Sequence, residues 1–144
     1  MRALRTAAAL LVSVALLVAC ARSDPERELR ETIAAMAAAI ERRDPGAFVE
    51  ALADDFTRES GDFGKHDARR VLAGVLLRHD RIAVTAVVTA VRIDGERAHT
   101  GVRVVAAGGT GLLPERGQIW QFDSAWRREG GRWRVFNAEW REGP

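Results

Sequence analysis

Along the chain, the spacing of apolar residues changes from a helical to a strand-like period near Asp80. Asp24-Pro25 opens the first helical stretch, with a capping carboxylate, proline at the first helical position and Glu26 and Glu28 behind it. Leu29, Ile33, Met36 and Ile40 then recur at spacings of four, three and four, which predicts one apolar helix face. Asp44-Pro45 repeats the start signal, and Phe48, Leu52 and Phe56 predict a second, shorter helix. Gly61 to Gly64 breaks the pattern. A third helix is expected from about His66 or Asp67, with Val71, Leu72, Val75 and Leu76 as its buried stripe.

After Asp80 the chain turns to β-branched residues. Residues 82–93 and 96–106 flank Asp94-Gly95, a two-residue hairpin signal. Pairing about that turn sets Val87 opposite Val102, Val91 opposite Ala98 and Thr85 opposite Val104 as the core side. Arg92, Arg97, His99 and Arg103 fall on the wet side. Gly108 to Gly117 reads as a long connection. Its glycines are not a phosphate loop, because no lysine followed by serine or threonine closes them.

The last hairpin, 118–141, turns at Gly130-Gly131. Symmetric pairing places Trp126 opposite Val135, Ser124 opposite Asn137 and Phe122 opposite Glu139. One face then carries Trp120, Phe122, Trp126, Trp133 and Val135, with Ser124, Asn137 and Glu139 among them. Gln121, Asp123, Arg127, Arg134, Phe136 and Trp140 take the other, mostly polar face. A one-residue slip would exchange the two sets.

The first nineteen residues have a different character. Arg2 and Arg5 precede an apolar run from Ala7 to Val18, and Leu17-Val18-Ala19 closes on Cys20. A charged start, a short apolar core and small residues at the end form a secretory leader. The run is too short to span a bilayer, which takes ~20 residues. Losing it takes the 22 basic side chains to 20, equal to the 20 acidic ones. A neutral mature domain offers no cationic surface for nucleic acid, so none is expected as a partner. A single cysteine rules out an internal disulfide and a cysteine-based metal cluster.

Two stretches carry resemblances. Leu17-Val18-Ala19-Cys20 resembles the bacterial lipoprotein box, which implies cleavage before Cys20 and acylation of its thiol. Ala21, rather than aspartate, follows the cysteine. That resembles lipoproteins sent to the outer membrane in a two-membrane bacterium; with one membrane, the anchor stays in the plasma membrane. Residues 1–19 are then the signal peptide, 20–25 the lipidated cysteine and tether, and 26–144 the domain.

Three helices followed by a long curved antiparallel sheet resemble the nuclear transport factor 2-like superfamily, which includes SnoaL-like and ketosteroid isomerase-like proteins. The resemblance lies in Ala53-Asp54-Asp55-Phe56 as a helix end and in Gly64-Lys65-His66-Asp67-Ala68-Arg69 as a helix start. Gly130-Gly131-Arg132-Trp133-Arg134-Val135 matches the start of its last strand. It implies an α+β cone whose mouth binds a small apolar molecule, here lined by Trp120, Phe122, Ser124, Trp126, Trp133, Asn137 and Glu139. The same aromatic residues equally make an ordinary core. It also implies a homodimer through the sheet, with Phe136 and Trp140 as contacts.

Chemistry is thin. The isomerase arrangement needs a tyrosine, and the chain has none. Glu139, with Asn137 or Ser124, is the candidate acid or base for an isomerase, dehydratase or cyclase. His66, His79 and His99 are scattered, and Asp54-Asp55 reads as an acidic helix end, so no metal and no cofactor are expected. The sequence favours a non-enzymatic binding or assembly module over an enzyme; a purely structural envelope protein is the third reading.

Overall fold

A computed structural model describes residues 24–59, 61–109 and 117–143. The leader, Cys20 and the middle of the 108–117 connection lie outside these. The described chain forms α1 (Pro25–Glu41), α2 (Pro45–Glu50), β1 (Leu52–Arg58), α3 (Lys65–Arg78), β2 (Arg81–Asp94), β3 (Arg97–Gly109), β4 (Gln118–Glu129) and β5 (Arg132–Glu142). The strands make one curved sheet in the order β1-β5-β4-β3-β2. All neighbours are antiparallel except the β1–β5 pair. The expected α+β cone is present, with helices on the concave side.

Local chemistry sets the helix ends. Asp24 accepts from the Glu26 and Arg27 amides at 3.1 and 3.3 Å, and Asp44 from the Ala47 amide at 2.9 Å. Asp67 accepts from the Gly64 amide at 3.0 Å, closing the first turn of α3. Past the end of α1, Arg43 takes a left-handed backbone (φ 62°). Its guanidinium donates to the carbonyls of Leu76, His79 and Asp80, capping the C-terminal turn of α3. Arg43→Ala leaves those carbonyls to water and should cost about 1–2 kcal/mol in a denaturant melt.

Four expectations are corrected. Leu52 and Phe56 lie on a strand, because a spacing of four fits a period of two as well as it fits a helix turn. The Val135 amide donates to Ala51 O at 2.9 Å and the Glu59 amide to Ala138 O at 3.1 Å, so this segment bonds to β5 instead of itself. In α3, Leu76 is buried but Val71 is 53% exposed, so the apolar stripe is narrower than its sequence.

The first hairpin closes on Asp94 and Arg97 around Gly95 (φ 57°) and Glu96. A register shift between Val88 and Ala90 follows. Val88, not Val87, therefore meets Val102, and Val87 turns outward at 52% exposure. Val91 pairs with Thr100.

The last hairpin carries the fourth correction. Trp126 meets Val135 as expected, but Ala125 meets Asn137, so Phe136 is an extra, bulged residue on β5. Every later side chain changes face. Ser124 pairs with Ala138 and Phe122 with Trp140. Ala138 and Trp140 turn inward, and Asn137 and Glu139 turn outward.

Candidate functional site in the cone and on its outer face

The bulge divides the expected lining. Trp120, Phe122, Ser124, Trp126 and Trp133 are on the concave side; Asn137 and Glu139 are not. Trp126 and Trp133 are 2% and 3% exposed and belong to the core with Leu29, Ile33, Leu52, Phe56 and Val135. Their indole N–H groups are both used: Trp126 donates to Thr100 Oγ1 at 2.9 Å, and Trp133 to Pro25 O at 3.1 Å. Thr100 is the one buried polar side chain among the described residues.

Nearer the mouth, Trp140 packs on Phe63 and Phe122, with ring centroids at 5.4 and 5.8 Å. The Arg58 guanidinium covers its ring at 4.2 Å. Two surface depressions, of about 480 and 590 Å³, include none of Trp120, Phe122 and Trp126 in their walls. Sequence reasoning missed Thr100 and put Trp140 on the opposite face. Thr100 could have been found from its place among the alternating inward residues of β3, Trp140 only by knowing the bulge.

Asn137 has a structural task. Its Nδ2 reaches Thr57 O, Thr57 Oγ1 and Glu59 O at 3.2, 3.1 and 2.9 Å, holding the end of β1 against β5. Glu139 is exposed. It belongs to a second surface, the convex face, where the registers lay out a polar lattice. Arg92, His99, Ala125 and Asn137 form one row across the strands, and Ala90, Gly101, Asp123 and Glu139 the next.

Gly101 leaves the middle of this lattice low. A Cβ there would stand 2.8 Å from Thr89 Oγ1, so larger residues would push the neighbouring strand. This is the 590 Å³ depression, with Arg92 and His99 on its β2–β3 side and Asp123 and Glu139 on its β4–β5 side, where Arg141 pairs with Asp123 at 3.4 Å. Phe136 lies on the same face, flanked by Arg97 and Arg127 at 5.5 and 5.4 Å from its ring.

Arg127 also holds both oxygens of Asp55 and one of Glu129. These bonds keep the Asp55 carboxyl below its usual range, first by hydrogen bonding and then by charge; Lys65 lowers Asp54 in the same way. A depressed carboxyl stabilises the fold above its unfolded pKa, about 4, and that contribution is lost as pH falls through the folded value. Arg127→Gln should therefore be less stable than the parent at neutral pH, and the difference should narrow as pH falls below about 4. Denaturant titrations on either side of that pH check this.

Among the described residues, no cluster of histidine, cysteine and carboxylate side chains could hold a metal. His66, His79 and His99 occupy three separate elements or ends. The His79 ring packs on Gly108 and its Nδ1 lies 3.0 Å from Val75 O.

No protein-family model matches the chain, and no curated protein sequence matches it. Solved structures do. A candidate scytalone dehydratase from Novosphingobium aromaticivorans superposes with a TM-score of 0.71 at 12% identity, covering 83% of this chain and 84% of that one. A candidate dehydratase of the NTF2-like family from Streptomyces avermitilis gives 0.69 at 16% identity, over 82% and 96%. An NTF2-like protein with a cystatin-like fold, also from N. aromaticivorans, gives 0.68 at 18%, over 91% and 86%. At these identities the likeness concerns architecture alone: the chain has the nuclear transport factor 2-like, cystatin-like fold.

Proposed function

We propose that the protein is a lipid-anchored envelope module that works by docking on its outer face, without catalysis. The observation that carries this is the filled interior: Trp126 and Trp133 occupy the cone with their N–H groups spent, and the one carboxylate nominated as a base, Glu139, points away. The convex face supports docking. Arg92 lies across the depression from Asp123 and Glu139, and a two-fold partner would set the arginine of one copy against the carboxylates of the other. The partner is a second copy or another envelope protein with that charge pattern. With Trp140 inside the cone, Phe136 is the remaining aromatic contact there.

Anchoring is supported by the leader ending in Leu17-Val18-Ala19-Cys20. Among the described residues, no helix is long and apolar enough to cross a membrane. Two or three acyl chains, at about 0.8 kcal/mol per buried methylene, hold a protein at a bilayer without a span. The place is the periplasmic face of the outer membrane in a two-membrane bacterium, otherwise the plasma membrane.

The rival reading is a small dehydratase, isomerase or cyclase, favoured by the names of two structural neighbours. It would draw on Ser124 and Thr100, the hydroxyls opposed on the concave face.

Sedimentation of the purified mature protein tests the proposal. Size should rise with concentration, or on adding an envelope extract, and the rise should disappear in Asp123→Lys/Glu139→Lys. A monomer whose melting temperature instead climbs with a small apolar ligand would favour the pocket. For the anchor, mass spectrometry of the membrane-extracted protein should find Cys20 as an acylated N-terminus; an unmodified Cys20 would refute it.

A further inference from the structure

Helix α3 carries an outward surface that neither the core nor the convex face uses. Leu77 is 83% exposed and Val71 53%, and they are two of the four large hydrophobic residues left exposed among the described residues. Arg69, Arg70 and Arg78 are on the same helix and Arg81 follows three residues beyond its end, all exposed. On the same helix, Asp67 is the one acid, and it is engaged with Arg70. A helix that buries only Leu76 fully, and turns leucine and valine outward among arginines, is amphipathic in the manner of an interfacial helix. Isolated exposed apolar residues are ordinary on a protein surface; here they share one helix with three exposed arginines.

We infer that this face of α3 rests on an anionic lipid surface. The inference builds on the anchored reading above, because anchoring is what holds the helix near a bilayer. Geometry allows it. Five residues from Cys20 to Pro25 reach at most about 17 Å. The C-terminal turn of α3 is capped by Arg43, just past the far end of the 17-residue α1, which is about 25 Å long. Leu77 therefore meets the bilayer when α1 tilts toward it, and the domain lies on its side instead of standing on its amino-terminal end. In that pose the convex face, built on β2 to β5, stays open to a partner.

An acidic protein surface would suit the arginines, but it gives no reason for a nearly bare leucine at the centre. A bilayer interface takes both.

The test uses the mature chain from Ala21 without its lipid, which contains every element of the fold. It should bind vesicles of mixed phosphatidylcholine and phosphatidylglycerol, ignore vesicles of phosphatidylcholine alone, and dissociate as salt is raised. Each arginine near an anionic surface contributes about fivefold in partitioning. Arg69→Gln/Arg70→Gln/Arg78→Gln should therefore weaken binding about a hundredfold, and Leu77→Asn should weaken it further at unchanged charge. The control Arg92→Gln/Arg97→Gln/Arg103→Gln, on the opposite side of the sheet, should bind as the parent does. Circular dichroism melts confirm that the variants remain folded. Equal binding to both vesicle types, or equal losses in the two triple variants, would overturn the inference. So would an α3 variant that loses affinity for polyglutamate but keeps it for vesicles. Because the lipid is absent from this assay, a failure here leaves the Cys20 result standing, and the reverse also holds.

Discussion

Trp126→Ala is expected to destabilise the domain by about 3–5 kcal/mol, enough to lower its melting temperature by about 15 °C or more. Three effects add at this position. The indole is 2% exposed and sits against Ala98 on β3 and Val135 on β5, so its removal opens a cavity across three strands. Its neighbours on the sheet are tied by backbone bonds and cannot collapse inward, which keeps the cavity open and its cost high. Thr100 Oγ1 then loses its donor in a place that is 4% exposed. Trp126→Phe separates these effects. It keeps most of the volume and should cost roughly half as much, whereas Thr100→Val alone strands only the indole N–H, for about 1–3 kcal/mol. Were the cone a water-filled site, all three substitutions would be mild.

The second large effect comes from two adjacent residues with opposite responses. Ala138→Asp should cost at least about 3 kcal/mol, since it places a carboxylate where Ala138 is 5% exposed, beside Ser124 and facing the core. Glu139→Ala should change stability by no more than about 0.5 kcal/mol. The contrast depends wholly on Phe136. Without its bulge the alternation would run unbroken from Trp133, and Glu139 would be the costly position and Ala138 the neutral one. Urea melts of the two variants decide which register the hairpin has.

What was legible in the chain follows from this. Period and caps announced α1 and α3, because Asp24-Pro25 and the Leu29–Ile33–Met36–Ile40 stripe are local signals that need no knowledge of neighbours. The diglycine turn and the pairing of Trp126 with Val135 were legible for the same reason. The bulge was not: Phe136 is an ordinary strand residue, and its displacement outward lets Trp140 reach Phe63 and Phe122, a contact made with the loop before α3 and with β4. β1 hid as a helix because Leu52 and Phe56 satisfy both periods, and a parallel edge needs β5 to reveal it. Arg43 carried no signal at all, although its guanidinium caps a helix more than thirty residues away.

The candidate site suffered most from these long-range effects. Five of its seven predicted lining residues are on the concave side, but the two that would have given it chemistry, Asn137 and Glu139, lie past the bulge. What was read as the polar part of the pocket lining is instead part of an outer lattice. That displacement is what leads the proposed function to the outer face of the cone instead of its inside.

The most direct measurement is fluorescence of the Trp120→Phe/Trp140→Phe double variant, which leaves Trp126 and Trp133 as the only emitters. Their emission should be blue-shifted and nearly insensitive to acrylamide, as expected for indoles packed between sheet and helices. Emission near that of free tryptophan, quenched readily and protected again by an added apolar ligand, would mean an open cone and contradict the account.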